Sequence, residues 1–85
     1  EVLYSDGARR PMPKLPPVNA RRLIRALERL GFHKHRQRGT SHLIMVHPDG
    51  RRTAIAIHPG DIPRGTLSGI LRDVRVTPDE LRNAL

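Results

Sequence analysis

His42 is the residue that the sequence best equips to move a proton beside a bound anion. It follows Gly39, Thr40 and Ser41 and opens an apolar run that predicts a strand. Glycine readily adopts positive φ and hydroxyls bond to nearby backbone, so the three preceding residues predict a tight bend. Imidazole changes charge near neutral pH, and backbone N–H groups in a bend bind anions. The stretch therefore predicts a site that holds a phosphate and transfers a proton next to it.

Basic residues lie on both sides of this bend, and the predicted phosphate ligands are Lys34, Arg36, Arg38, Arg51 and Arg52. The whole chain of 85 residues contains 16 Lys+Arg and 8 Asp+Glu, and 14 of the cations are arginine. Arginine binds phosphate through two parallel hydrogen bonds, so this composition favours a polyanionic partner. No predicted helix combines a basic face with exposed Trp or Phe, as an interfacial helix would. Nucleic acid is therefore favoured over a membrane surface.

The aromatic residues of the chain are Tyr4 and Phe32. Without an aromatic platform for stacking bases, we expect binding through the nucleic-acid backbone and its shape, with weak sequence preference. On a ribonucleotide chain, His42 can serve as general base or acid toward a ribose 2′-hydroxyl. The expected reaction is transesterification, in which the 2′-oxygen attacks the adjacent phosphorus and a cyclic phosphate forms first. Nearby cations would stabilise the developing charge.

The auxiliary candidates for this chemistry are His58, Ser41 and Gly39. Ser41 is not predicted to form a nucleophilic dyad with His42, because neighbouring strand residues point to opposite faces. The remaining histidines, His33, His35 and His47, are expected at the surface. The chain has no cysteine and no HExxH-type helix, so it predicts neither a metal site nor another cofactor.

Three strands are expected around the bend, at about residues 32–38, 42–47 and 51–58. The first is polar. The second is apolar on both sides, which a central position in the sheet would explain. In the third, Thr53, Ile55 and Ile57 alternate with Ala54, Ala56 and His58. The isoleucines should therefore face the helices, and Ala56 and His58 the open side. Short connections favour an antiparallel sheet.

Helices are predicted before and after these strands. The first follows the N-cap Asn19 and ends at Gly31. The second is expected at about residues 64–74, and a short third helix follows the capping-box sequence Thr77-Pro78-Asp79-Glu80. The order α-β-β-β-α(-α) predicts an α+β two-layer sandwich, with an antiparallel three-stranded sheet and helices on one face.

We expect two regions in the chain. Residues 1–17 contain four prolines and predict an extended arm, of which residues 1–11 have the character of an upstream extension. Residues 18–85 form the expected folded domain. The absence of cysteine and of a long apolar stretch favours a cytoplasmic location.

The motifs together resemble the HicA family of small RNA-cleaving toxins. The resemblance covers about residues 12–85 and rests on four segments: Leu27–Phe32, Arg36–His42, His47–Arg52 and Pro63–Asp73. It implies a double-stranded-RNA-binding-like fold, cleavage of messenger RNA and a cognate HicB-type antitoxin. The resemblance also implies that His42, after the bend containing Gly39 and Ser41, is the catalytic residue.

The residues leave two other hypotheses open. The chain could be a non-catalytic module that binds double-stranded RNA through the same basic face. It could also be a basic subunit whose main task is to bind an acidic protein. A nuclease assay separates catalysis from both, and the salt dependence of RNA binding separates the two from each other.

Overall fold

The computed structural model describes residues 15–39 and 41–85, apart from the side chains of Gln37 and Arg38. Within these residues the elements are α1 (Ala20–Arg29), β1 (His33–Arg38), β2 (His42–Val46), β3 (Arg52–Ala56), α2 (Arg64–Val74) and α3 (Pro78–Ala84). This order and the antiparallel sheet confirm the predicted α+β, double-stranded-RNA-binding-like fold. Most of the predicted N-terminal arm, residues 1–14, lies outside the described residues.

Helix α1 begins and ends as its sequence predicts. The side chain of Asn19 accepts a hydrogen bond from the Arg22 amide, at 2.9 Å, and satisfies a helix N-terminal donor. At the other end, Gly31 has φ of 99°, and the Phe32 amide donates to the Leu27 carbonyl at 2.9 Å. This C-terminal arrangement turns the chain directly into β1.

Strand β2 lies at the centre of the sheet, between β1 and β3. Leu43 and Met45 belong to the core beneath the helices. Ile44 is on the opposite face and is still only 6% exposed, with Arg36 and Ala54 as its cross-strand partners. The central position explains why β2 is apolar on both sides.

A bulge in β1 decides which of its side chains share a face. Lys34 pairs with Met45, and Arg36 pairs with Ile44, so His35 is left between two consecutive pairs. An extra residue of this kind reverses the alternation of side chains beyond it. Arg36 therefore lies on the open face of the sheet, whereas Lys34 lies on the helix-facing side.

The two C-terminal helices close the core over the sheet. In α3, Thr77 and Glu80 form the predicted capping box, with bonds of 2.8 and 3.1 Å. Arg29 in α1 donates to the Ala84 carbonyl at 2.6 Å and joins the two helices. The hydroxyl of Thr53, in β3, donates to the Asp73 carboxylate of α2 at 3.0 Å.

The third strand is shorter than predicted, because β3 ends at Ala56. Ile55 is fully buried beneath the helices, as predicted. Ile57 follows the strand and is 40% exposed, lining a shallow cavity with Arg21 and Ile24 of α1. It lies on the side of the helices, as expected, but the helices leave it partly exposed. Its position at the end of the sheet, past the last residue that pairs with β2, is the reason.

Candidate active site

His42 is the first residue of β2 and is exposed on the open face of the sheet. Its cross-strand partners are Arg38 in β1 and Ala56 in β3. The turn before it contains Gly39, whose φ of 60° is left-handed. Apart from its two neighbours in the chain, no atom of the described residues lies within 4 Å of the position that a Cβ at Gly39 would take. The backbone conformation, and not a lack of space, therefore favours glycine there.

The hydroxyl of Ser41 approaches the imidazole of His42, with 3.3 Å between Oγ and Nδ1. The expectation that these two side chains point to opposite faces is therefore wrong, because Ser41 lies in the turn and not in the strand. A hydroxyl at Nδ1 restrains the ring and leaves the second ring nitrogen, Nε2, for another partner. The serine is in a position to orient the imidazole.

Two predicted cations share the open face with His42. Arg36 pairs with Ile44 and Arg52 pairs with Val46, and both arginines are exposed. Ile44 and Val46 follow His42 in β2 by two and four residues. The pair of Arg36 and Ile44 is therefore roughly 7 Å along the sheet from His42. The backbone of Arg38 occupies the position opposite His42, and its side chain is outside the described part of the chain. The open face therefore combines an exposed imidazole with cations.

Arg51 makes contacts within the protein instead. Its guanidinium donates to the Asp49 carboxylate at 2.8 Å and to the Val74 carbonyl at 2.6 Å. It also lies over the Phe32 ring, 5.0 Å from the centroid. These contacts join the β2–β3 turn to the end of α2, so the geometry points to a structural task for this arginine. Lys34 is also away from the open face, at the cavity that Ile57 lines.

Comparison with known proteins identifies the family. Residues 20–76 match the family profile described as "HicA toxin of bacterial toxin-antitoxin". The chain belongs to the HicA toxin family. The match begins with α1 and ends just before α3. A comparison with curated proteins found no match. Membership makes this chain a toxin of a toxin–antitoxin pair, with a cognate antitoxin as its partner.

His58 in this HicA-family chain lies two residues after Ala56, the partner of His42, and is exposed. It lines a cavity of about 190 Å³ with Asp61 and Thr66. It is therefore near the same end of the sheet as His42, in a connection and not in a strand.

The other histidines of the HicA-family chain differ in exposure. His33 and His35 are exposed, as predicted. His47 is only partly exposed: 20% of its side chain is accessible, and its ring packs edge-on against Phe32 with 4.9 Å between centroids. A Cβ at Gly31 would come within 2.8 Å of His47 Nε2, so glycine allows this close packing.

His47 Nδ1 lies close to two groups of Asp49, the amide nitrogen at 3.1 Å and Oδ1 at 3.0 Å. A neutral Nδ1 accepts from the amide, whereas a protonated one donates to the carboxylate, and one nitrogen cannot do both. The amide contact is the hydrogen bond of the neutral ring. Either contact holds His47 against the β2–β3 turn.

Residues 15–39 and 41–85 contain no group of three or more His, Asp or Glu side chains placed to bind a metal ion. No helix among them is both long enough and apolar enough to cross a membrane.

The sequence did not reveal the two features that assemble this site. No residue type in β1 predicts the bulge at His35, because the strand is polar throughout. Either set of alternate side chains could face the helices as far as the sequence shows. The contact between Ser41 and His42 depends on whether the turn ends before or after Ser41, and the residue types do not decide this. A Ser-His pair after glycine was the available indication.

Proposed function

We propose that this HicA-family toxin is an endoribonuclease that cleaves messenger RNA, with His42 as its general acid or base. The observation that carries the proposal is an exposed imidazole at the start of β2, on the same sheet face as Arg36 and Arg52. Proton transfer and phosphate binding are the two tasks that RNA transesterification requires.

In the proposed reaction, the 2′-oxygen of a ribose attacks the adjacent phosphorus while its proton passes to a base. The bond from phosphorus to the 5′-oxygen breaks, and the leaving oxygen takes up a proton. The products are a 2′,3′-cyclic phosphate and a 5′-hydroxyl. His42 serves one of these proton transfers through Nε2, and His58 is the candidate for the other.

Ser41 is proposed as the positioning residue. If His42 Nδ1 carries the proton, it donates to the Ser41 oxygen, 3.3 Å away, and Nε2 is free to accept from the 2′-hydroxyl. If the serine donates, Nε2 carries the proton and can give it to the leaving oxygen. The same contact therefore serves both directions of transfer.

Arg36, Arg38 and Arg52 are proposed as the phosphate ligands on this face. Their charges stabilise the phosphorane-like transition state more than the ground state, because negative charge accumulates on its oxygens. Lys34 and Arg51 have other positions and are left out of this cluster.

The partner is proposed to be a HicB-like antitoxin that covers the open face around His42. A surface with exposed arginines favours a partner with acidic groups and rapid, salt-sensitive association. A cytoplasmic location, where messenger RNA is accessible, follows from this proposal.

Replacing His42 by Ala tests the mechanism. Cleavage should fall by about two to four orders of magnitude, the usual contribution of general acid–base catalysis. Folding and RNA binding should persist, because His42 is exposed and the cations remain. His35→Ala, which changes another exposed histidine in the neighbouring strand, serves as the matched control. The measurement is the cleavage rate of purified proteins, alongside growth arrest on expression.

Cleavage at the parental rate by well-folded His42→Ala protein would exclude the mechanism and make His58 the next residue to test. The parent should remain active in EDTA, because the proposed proton transfer needs no metal ion. Salt-sensitive RNA binding without cleavage would support a non-catalytic RNA-binding module. If the protein neither cleaved nor bound RNA but bound an acidic antitoxin tightly, it would be a subunit whose main task is to bind its partner.

A further inference from the structure

A small cavity opens between α1 and the end of the sheet, on the side opposite His42. Its volume is about 230 Å³, and it is lined by Arg21, Ile24, Lys34, Leu43 and Ile57. Cavities for drug-sized ligands usually exceed about 300 Å³. This one suits a smaller group, of the size of a single nucleobase.

The lining of the cavity combines an apolar floor with a cationic rim. Ile24 and Leu43 are buried, and Ile57 contributes an apolar surface that is 40% exposed. Arg21 and Lys34 are both exposed, and no carboxylate is among the lining residues. An apolar floor fits the face of a planar base, and the cations fit the phosphate attached to it.

Residues that line the cavity are close in the chain to the candidate active site. Leu43 directly follows His42, and the Ile57 amide donates to the Ser41 carbonyl at 2.6 Å. Ile57 directly follows Ala56, which pairs with His42. Leu43 and Ile57 are therefore next in the chain to His42 and to its partner Ala56, on the opposite side of the same sheet end.

A second cavity extends this surface around the start of α1. Its volume is about 430 Å³, and it shares Arg21 and Ile57 with the first cavity and includes His58. The first turn of α1 contains no acidic residue of its own, and the N-terminus of a helix carries a partial positive charge. The two cavities form one basic surface that passes from the sheet end to α1.

We propose that this cavity binds the nucleotide next to the cleaved linkage, with its base on Ile57 and Leu43 and with the rim cations Arg21 and Lys34 at its phosphate and at the edge of its base. The RNA strand bends over the end of the sheet, so that the scissile phosphate lies at His42 while the neighbouring base lies on the other side. The inference rests on the proposed ribonuclease function. It gives Lys34, which the bulge removes from the open face, a position in RNA binding.

The charged side chains of the rim set a base preference. Arginine and lysine donate hydrogen bonds and accept none. Guanine and uracil present carbonyl acceptors where adenine and cytosine present amino donors. The cavity therefore favours guanine or uracil at this position over adenine or cytosine.

The test uses short oligonucleotides with one ribose in an otherwise 2′-deoxy chain and with each base in turn on either side of it. Ile57→Ala and the double variant Arg21→Gln/Lys34→Gln should each lower kcat/KM by about tenfold, as expected for a lost apolar or charged contact. They should also flatten the base preference on one side of the linkage. The matched control is Arg22→Gln/Arg25→Gln, which removes two positive charges at exposed positions of α1 outside the cavity.

Photo-crosslinking keeps the inference independent of catalysis. The probe carries 4-thiouridine beside a 2′-O-methyl linkage that cannot be cleaved. Crosslinks to the Ile57 peptide support the cavity even if no substrate is cleaved, in which case the proposed ribonuclease function fails alone. The inference would be overturned if the cavity variants had the same kcat/KM as the control variant, or if no crosslink formed near Ile57. Circular dichroism confirms that each variant is folded.

Discussion

Arg75 ends α2 in the left-handed conformation, with φ of 54° and ψ of 45°. A side chain with a Cβ is strained there, by roughly 1 kcal/mol. The Val76 amide donates to the Leu71 carbonyl at 3.0 Å and fixes this helix end, where glycine is the usual residue. The arginine therefore retains strain that its neighbours impose.

Arg75→Gly should raise the free energy of unfolding by about 0.5–1 kcal/mol, because glycine relieves this strain. In thermal denaturation the midpoint should rise by about 2–8 °C for a domain of this size. Arg72→Gly, in the last turn of the same helix, should instead lower stability by about 1 kcal/mol. A lower midpoint for Arg75→Gly would contradict the strain argument.

At the scale of the elements, Asp49 holds the turn between β2 and β3. Its carboxylate accepts from the Arg51 amide at 3.0 Å and from the Arg51 guanidinium at 2.8 Å. The Arg51 amide is the main cause that lowers the pKa of Asp49 from its ordinary value, and the guanidinium adds to the effect. The ionised carboxylate is therefore favoured in the folded protein.

Asp49→Asn should be less stable than the parent at neutral pH and should approach the parent in acid. A carboxyl whose pKa is lowered by folding stabilises the protein above its unfolded pKa and loses this contribution as the pH falls through the folded value. The difference should therefore decline below about pH 4, near the ordinary value of 3.8. Denaturant unfolding from pH 7 to pH 3 measures it.

Asp49→Ala provides the matched variant, because it removes the acceptor as well as the charge. It should be less stable than Asp49→Asn across the whole pH range. A difference between Asp49→Asn and the parent that did not change with pH would show that the charge contributes nothing to the turn.

The three-stranded sheet places Arg36 and Arg52 on the face of His42, in β1 and β3. RNA affinity should fall linearly with salt concentration on logarithmic scales, since bound cations displace counterions from phosphates. Replacing both arginines by Ala should reduce the slope by about 1–2. Binding measured by fluorescence anisotropy across a salt series tests this.

The control for the salt series is Arg64→Ala/Arg82→Ala, which removes the same charge from α2 and α3. It should leave the slope nearly at the parental value. Equal slopes for the parent and the Arg36/Arg52 variant would place the RNA on another surface.

At the scale of the whole molecule, the helices cover one side of the sheet and leave the face with His42 open. A toxin of this family requires neutralisation by its antitoxin, and the open face is the surface whose coverage would block the proposed chemistry. We expect antitoxin binding to protect amides of β1 and the β1–β2 turn from hydrogen exchange. Mass spectrometry of free and bound toxin measures this protection.

The competing outcome is protection confined to the helical side, with cleavage still inhibited. That result would exclude direct masking of His42. The antitoxin should also associate more slowly at low salt with the Arg36→Ala/Arg52→Ala variant than with the parent, because fewer charges attract an acidic partner.

The sequence by itself determined the helix ends, the order of elements and the bend before His42. These features depend on interactions between residues a few positions apart, such as the Asn19 cap, the Gly31 end and the Thr77–Glu80 capping box. Local patterns of this kind are visible in the residue types alone.

Only the tertiary structure decided how the cations divide between the two sides of the sheet. The bulge at His35 moves Arg36 to the open face and leaves Lys34 on the other, and Arg51 finds its partners in the β2–β3 turn and at the end of α2. Each of these outcomes depends on pairing with residues distant in the chain. A one-residue change of register reverses every side chain beyond it, and a polar strand carries no pattern that fixes the register in advance.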